Sequence, residues 1–323
     1  MCTAVNFKKK YNYFGRNFDY EYTFSEQITI CPRNYKFSFT NGEENDNHFA
    51  FIGMAKVVDN YPLYFDATNE KGVSIAALNF PEFAKYTPKK YEKDNIASFE
   101  LIPWILVDCD SVRHVKQKLK NANITKEAFS QEFEPTPLHW FIADKDEAIT
   151  VEQTEKGFFC FDNPIGILTN SPDFEKQMFN LNNYLRLSAK EPYNTFSEKI
   201  DLKPYSRGMG AMGLPGDLSS MSRFVRASFV KLNSMCGENE TEAVNQMFHI
   251  LYSVYQQRGC SFSDYGTEIT NYTSCCNTDK GIYYYTTYNN LSVNAIDMHK
   301  ENLNKNELVT FNLIKTKNFH KQN

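Results

Sequence analysis

The chain has 323 residues and a formal charge of -4, and its aromatic content is 15%. It is long enough to bury a core as one large domain or as two ordinary ones. Lysine and arginine are spread along the chain, without a basic stripe for nucleic acid or a polybasic patch for a membrane surface. We therefore expect neither kind of partner.

The N-terminal segment has three lysines at 8–10 but no apolar run behind them, so it does not resemble a secretory signal. No later segment approaches the length of a membrane span, and we expect a cytoplasmic protein. The eight cysteines are scattered and form no CxxC pairs, which argues against a disulfide framework or a zinc site. The adjacent Cys275 and Cys276 are expected to be small buried side chains.

The first half of the chain is dominated by strand patterns. Segments 11–14 and 15–22 predict two short strands with a turn between them, which would bring the residues after Gly15 back alongside Cys2. Further strands are predicted at 49–55, 63–67 and 73–79. Residues 97–121 are helical in pattern, with Asp110-Ser111 as a cap before an apolar side formed by Val112, Val115 and Leu119.

The second half mixes strands and helices in separate blocks. A hairpin is predicted from 139–144 and 148–152, followed by a strand at 157–161. Ser171-Pro172-Asp173 begins a helix with the apolar stripe Phe174, Met178, Leu181, Tyr184 and Leu185. A looser glycine-containing region follows, and it contains Gly208, Gly210, Gly213 and Gly216.

Two paired helices are then predicted. The first begins within 217–220, ends near 237 and buries Phe224, Val225, Ser228 and Leu232. The second spans 241–258 and carries Val244, Phe248, Leu251 and Tyr255. Strands follow at 269–276, 281–288 and 291–298, before a lysine-rich tail that we expect to be solvated. The whole pattern predicts a single α+β domain over residues 1–323, with helical pairs covering two packed antiparallel sheets.

The second residue offers a distinctive chemistry. Removal of Met1 would leave Cys2 with a free thiol and a free α-amine. A thiol of ordinary pKa, about 8.5, is mostly protonated at neutral pH, whereas an α-amine of pKa about 7.7–8.0 is partly free to accept its proton. Nucleophile and base would then belong to one residue, although position alone favours the alternative of an incidental cysteine.

Five polar residues stand in apolar or glycine-rich surroundings and accompany Cys2 as candidates for function. Each of them taken alone could be structural, as a plain ion pair or as a turn residue. The five are Arg16, Asp19, Asn79, Asn170 and Arg223.

A set of motifs ties these residues together. Together they resemble the choloylglycine hydrolase family of N-terminal-nucleophile hydrolases, which contains bile salt hydrolases and penicillin V acylases, and the resemblance covers nearly the whole chain. The motifs are Met1-Cys2-Thr3, Tyr13 to Tyr20, Asn60 to Tyr64, Ala77-Leu78-Asn79-Phe80, Pro137-Leu138-His139-Trp140, Leu168 to Pro172, Ser206 to Gly210, Gly213 to Ser220 with Ser222-Arg223-Phe224, and Thr273 to Asn277.

The resemblance implies a four-layer αββα fold and a role for each candidate. Cys2 would be the nucleophile, with Arg16 stabilising its thiolate and Asp19 holding its α-amine. The side chain of Asn170 and the backbone N–H of Asn79 would form the oxyanion hole. Arg223 would complete the charged network. The implied reaction is acyl transfer to sulfur and hydrolysis of the thioester, with no metal or organic cofactor.

The resemblance also implies a substrate. Asn79 before Phe80 is typical of bile salt hydrolases, where penicillin V acylases more often carry tyrosine, so it favours glycine- or taurine-conjugated bile acids. An apolar trough for the steroid is expected from loops following 18–22 and around 58–65 and 133–138. The candidate substrate-binding residues are Phe18, Tyr20, Tyr22, Phe65, Phe133 and Leu138.

Two departures from the family pattern leave other activities open. Ala77 stands where glycine is common, and Glu82 would put a carboxylate near the pocket mouth. A reshaped pocket would favour a penicillin V acylase or another N-acyl amidase. A second alternative is a non-catalytic binding protein, which would follow if Met1 were retained. The resemblance also implies a homotetramer.

Overall fold

The computed structural model describes residues 1–317 and 319–323. Its strands are β1 (Cys2–Lys8), β2 (Asn12–Tyr20), β3 (Gln27–Cys31), β4 (Phe37–Ser38), β5 (Glu44–Asn45), β6 (Phe51–Val58), β7 (Tyr61–Asn69), β8 (Ser74–Asn79), β9 (Asp94–Ala97), β10 (Ala122–Thr125), β11 (Leu138–Ala143), β12 (Ala148–Thr154), β13 (Gly157–Asp162), β14 (Ile167–Leu168), β15 (Phe262–Ser263), β16 (Gly266–Thr267), β17 (Ile269–Asn277), β18 (Ile282–Thr287), β19 (Asn290–Asp297) and β20 (Val309–Asn312). The helices are α1 (Leu101–Leu106), α2 (Val112–Leu119), α3 (Phe174–Asn180), α4 (Ser220–Asn233) and α5 (Glu240–Tyr252).

Two large antiparallel sheets face each other. One has six strands in the order β14-β1-β2-β17-β18-β19, and the other has eight in the order β13-β12-β11-β8-β7-β6-β3-β20. The sheets meet where β1 and β2 contact β8. Helix α1 packs on the outer side of the eight-stranded sheet, and α4 and α5 pack on the outer side of the six-stranded sheet. The expected αββα layering is confirmed.

Alternation along the central strands explains this layering. In β8, Ala76 and Leu78 belong to the apolar cluster between the sheets, whereas Ile75 and Ala77 belong to the cluster under α1 and α2. Both faces of β8 are therefore buried, because successive side chains of a strand point to opposite faces. This burial of both faces accounts for the nearly continuous apolar run in the sequence of β8.

The first hairpin differs from the prediction in the position of its turn. The chain turns between β1 and β2, and β2 runs through Gly15 without a break. A Cβ on Gly15 would lie 2.0 Å from the backbone oxygen of Ser274 in β17. Gly15 is thus required by close strand approach and not by a turn. The residues after Gly15 nevertheless return alongside Cys2 as predicted, since Cys2 lies opposite Phe18 in the β1–β2 register.

The helices are confirmed in order but not in length. Ser111 caps α2, as expected. Helix α3 is capped by Asp173 and ends at Asn180, and Leu185 of the predicted stripe is 82% exposed. In α4, Leu232 is exposed where burial was predicted. Helix α5 ends at Tyr252, so Tyr255 lies beyond it.

The C-terminal tail also departs from the prediction. It contains β20, a strand that the sequence pattern did not reveal, and β20 pairs with β3 at the edge of the eight-stranded sheet. Cys275 and Cys276 are buried, as expected. Over the described residues, no helix is long and apolar enough to cross a membrane. The same residues contain no cluster of three His, Cys, Asp or Glu side chains able to hold a metal ion.

Candidate active site

Cys2 lies at the start of β1, where its side chain reaches a pocket between the two sheets. Cys2 is 3% exposed, and the pocket has a volume of about 290 Å³. Its walls combine aromatic side chains from β2, β7 and several loops with two polar residues near the thiol, Arg16 and Asn79. A buried thiol at one end of an apolar pocket is the central feature of this site.

Arg16 fills a gap in the eight-stranded sheet. The pairing of β7 with β8 ends at Asp66 and Ala76. Just beyond that point Arg16 Nη1 donates to the backbone oxygens of Phe65 (2.8 Å) and Ala77 (2.6 Å). The guanidinium therefore replaces strand-to-strand hydrogen bonds, which keeps the two strands apart next to Cys2.

The charge of Arg16 is retained despite complete burial. Burial acts to lower the pKa of its guanidinium, but its interactions with Cys2, Tyr272 and Asp66 outweigh this effect and the pKa is raised. Arg16 Nη2 is buried and lacks a hydrogen-bond partner among the described residues. This nitrogen is available to an anion in the pocket.

Asp19 lies buried three residues further along β2. Its Oδ1 accepts from Thr270 Oγ1 at 2.6 Å, while Oδ2 is buried and has no partner within the described part of the chain. Burial raises the pKa of this carboxyl group. An additional donor would satisfy the second oxygen.

The amine of Met1 lies in the same region. It donates to the backbone oxygen of Asp19 at 2.7 Å and to the carboxylate of Glu268. Burial lowers the pKa of this amine. While Met1 is attached, Cys2 N is an amide that donates to Asn170 Oδ1 at 2.7 Å. Cys2 has no basic nitrogen in that form of the chain.

The side chain of Asn170 links β1, β8 and α4. Its Oδ1 accepts from Cys2 N and, at 2.8 Å, from Arg223 Nη2. Its Nδ2 donates to the backbone oxygen of Asn79 at 2.7 Å and carries a second N–H. The amide group is thereby held in one orientation beside Cys2.

The strand pattern also fixes the direction of the Asn79 backbone. Phe80 N donates to Pro137 O at 2.8 Å, so these two residues form a hydrogen-bonded pair at the end of the β8–β11 ladder. Hydrogen-bonded and non-hydrogen-bonded pairs alternate in an antiparallel ladder. Asn79 consequently directs its N–H and C=O away from β11, toward the side on which Arg16 and Asn170 lie.

Arg223 lies fully buried on α4 and braces the first residues of β1. Its Nη1 donates to Cys2 O and, at 2.7 Å, to Thr3 Oγ1. Burial lowers the pKa of this guanidinium although Asp19 and Cys2 act in the opposite direction. Helix α4 thus ties the N-terminal strand to Asn170.

The six candidate residues are therefore brought together, although they are distant in sequence. The six candidate substrate-binding residues, Phe18, Tyr20, Tyr22, Phe65, Phe133 and Leu138, all line the pocket. The sequence interpretation missed Phe24, Phe99 and Phe129, which lie on the same walls. Phe24 continues the alternation of Phe18, Tyr20 and Tyr22, a signal that could have identified it.

One expectation about the pocket mouth is wrong. Glu82 is not among the residues that line the pocket, and the carboxylates found there are those of Glu132 and Glu134. Ala77, the other departure, does lie at the pocket, and its backbone oxygen accepts from Arg16.

Comparison with known proteins identifies a family over almost the entire chain. The model of the linear amide C–N hydrolases, choloylglycine hydrolase family, matches residues 2–311. A bile salt hydrolase/transferase of Lactiplantibacillus plantarum is 52% identical over 316 residues, 97% of each chain. A bile salt hydrolase/transferase of Clostridium perfringens is 40% identical over 98% of each chain. The crystal structure of a variant of conjugated bile acid hydrolase from Clostridium perfringens matches all of both chains with a TM-score of 0.92 at 39% identity.

Proposed function

Because the chain belongs to the choloylglycine hydrolase family of linear amide C–N hydrolases, we propose that it hydrolyses the amide bond of glycine- or taurine-conjugated bile acids. The relatives that are 52% and 40% identical are bile salt hydrolases by name. The observation that carries the proposal is a buried Cys2 thiol at the end of a pocket walled by aromatic side chains. Such a pocket suits an apolar steroid, with its amide directed to the thiol.

The proposed reaction begins with the loss of Met1. The Cys2 α-amine then takes the thiol proton, and Asp19 Oδ2, buried and unpartnered among the described residues, accepts a hydrogen bond from that amine. The positive charge of Arg16 stabilises the thiolate. Sulfur attacks the amide carbon, and the carbonyl oxygen becomes an oxyanion.

The oxyanion is stabilised by the Asn79 backbone N–H and an N–H of Asn170 Nδ2. Collapse of this intermediate breaks the C–N bond, and the α-amine donates its proton to the departing glycine or taurine. Water then attacks the thioester, which releases the free bile acid and restores the Cys2 thiol. Arg223 holds the backbone of Cys2 and the amide of Asn170 in register throughout.

The assay measures glycine and taurine released from glyco- and tauro-conjugated bile acids, with Cys2→Ala as the control. Intact mass spectrometry of the same preparation establishes whether one methionine has been lost. Absence of release from correctly processed protein would refute the proposed substrate. Release of the phenoxyacetyl group from phenoxymethylpenicillin in a parallel reaction would support the acylase alternative instead. Retained Met1 without any hydrolysis would support a binding protein.

We further propose that the protein acts as a cytoplasmic homotetramer. Support comes from the segment between α3 and α4, which lacks strands and carries large apolar side chains that are more than four-fifths exposed. These side chains are Leu185, Tyr193, Phe196 and Tyr205. Burial against other copies of the chain would remove this apolar surface from water.

A further inference from the structure

A buried histidine lies behind the two asparagines of the site. His139 on β11 and Glu152 on β12 are 0% and 1% exposed. His139 Nδ1 lies 3.1 Å from Glu152 Oε1, and His139 Nε2 lies 2.9 Å from Thr169 O. Both ring nitrogens therefore face acceptors.

These partners fix the orientation of the ring. A backbone oxygen can only accept, so Nε2 carries a proton and donates to Thr169 O. Nδ1 faces Glu152 Oε1, which also accepts from Phe174 N at 3.1 Å. The ring is therefore held from both sides in the protein interior.

The imidazole ring contacts the neighbours of both asparagines. On one side it hydrogen-bonds to Thr169, the residue before Asn170. On the other it stacks on Phe80, the residue after Asn79, with ring centroids 4.1 Å apart and an interplanar angle of 7°. One rigid ring thus spans the two segments that provide the oxyanion donors.

We propose that His139, held in orientation by Glu152, is a positioning residue that fixes Asn79 and Asn170 at the separation required by an oxyanion hole. The proposal rests on the proposed function, because it assigns a role within that reaction. His139 touches neither the pocket nor the thiol in its hydrogen bonds, so its effect on catalysis is indirect. A displacement of about 1 Å in such donors is sufficient to cost on the order of a hundredfold in rate.

The test compares His139→Phe, which keeps a stacking ring but removes the donor to Thr169, with His139→Gln, whose amide can still donate there. His48 provides the matched control. It is also buried, and its ring nitrogens lie 2.8 Å from the backbone oxygens of Phe49 and Tyr35, but it does not line the pocket. His48→Phe and His48→Gln report the cost of losing a buried histidine elsewhere.

We expect His139→Phe to lower kcat about tenfold to a hundredfold with KM within about threefold. His139→Gln should regain at least half of that loss on a logarithmic scale. Both His48 variants should keep kcat within about twofold even where they melt at lower temperature. An unchanged kcat, a loss carried by KM, or no recovery by glutamine would overturn the proposal. If His139→Phe does not fold, Glu152→Gln replaces it and should lower kcat with KM unchanged.

A second substrate separates failure of this proposal from failure of the proposed function. The burst of p-nitrophenol from p-nitrophenyl acetate reports acylation of Cys2 and requires no bile-acid pocket. If the wild type shows the burst but releases no glycine or taurine, the proposed substrate fails and the His139 comparison is made on burst rates. Equal burst rates in all variants would then overturn the positioning role.

Discussion

Replacement of Asn170 by aspartate removes its amide donor with almost no change in shape, and it adds a negative charge that the control Asn69→Asp adds at another buried asparagine. In the wild type Asn170 Nδ2 donates to Asn79 O at 2.7 Å, and the same nitrogen is the proposed donor to the oxyanion. In Asn170→Asp an acceptor oxygen takes that place and faces the oxygen of Asn79. The bond to Arg223 survives, because Oδ1 is unchanged.

Two costs follow, and they are separable. Loss of one oxyanion donor lowers kcat by about 10²–10³-fold, which corresponds to about 3–4 kcal/mol in the activation free energy, with KM nearly unchanged. Loss of the hydrogen bond to Asn79 O lowers the free energy of unfolding by about 1–3 kcal/mol. Initial rates of glycine release give the first cost, and denaturant unfolding gives the second.

Asn69→Asp is the matched control. Asn69 is fully buried, and its Nδ2 donates to the backbone oxygens of Leu106 (3.0 Å) and Cys109 (2.8 Å), away from the pocket. It should lose at least as much stability as Asn170→Asp while kcat stays within about twofold. The reasoning is refuted if Asn170→Asp keeps kcat within about threefold of the wild type, or if both variants lose kcat equally.

Three further results are expected. Burial lowers the pKa of Lys231 from 10.5 to about 8, so between these pH values the unfolded chain binds more protons than the folded chain. Relative to Lys231→Met, the free energy of unfolding of the wild type should therefore rise by up to about 3 kcal/mol from pH 8 to 10.5. Denaturant titrations in which the difference between the two proteins does not change with pH would contradict this sign. Phe133→Ala at the pocket wall should raise KM for conjugated bile acids roughly fivefold with little change in kcat, whereas Tyr91→Ala, 92% exposed and outside the pocket, should leave both constants unchanged in the same assay. Tyr193→Ser with Phe196→Ser should reduce the mass found by light scattering from that of a tetramer, and an unchanged mass would argue against this segment as the interface.

Much of the fold could be predicted because its strands carry strong local patterns. β8 and β11 are nearly continuous apolar runs, and the hairpin between β11 and β12 has a polar turn. Length was harder to predict for α5, since an apolar periodicity continues to Tyr255 although the helix ends at Tyr252. Periodicity reports which side chains are apolar, and it does not report where the backbone stops being helical.

Two features of the fold differ from the prediction because they depend on distant partners. β20 is short and lies in a polar tail, and it becomes a strand by pairing with β3 nearly three hundred residues earlier. Gly15 was assigned to a turn because glycine favours turns, whereas its role depends on the oxygen of Ser274 in another strand. Neither partner can be inferred from the local sequence.

The six candidate site residues were identified from motifs, but the physical reason for their grouping comes from the sheet. Arg16 bonds to two strand oxygens that would otherwise face a partner strand, and this leaves the edge of β8 open toward Cys2. The same opening frees the N–H of Asn79 for a ligand. A lysine has one terminal nitrogen and no planar fork, so it could not separate the strands and face the thiolate in the same way. The guanidinium at this position is therefore required by the backbone as well as by the charge of the nucleophile.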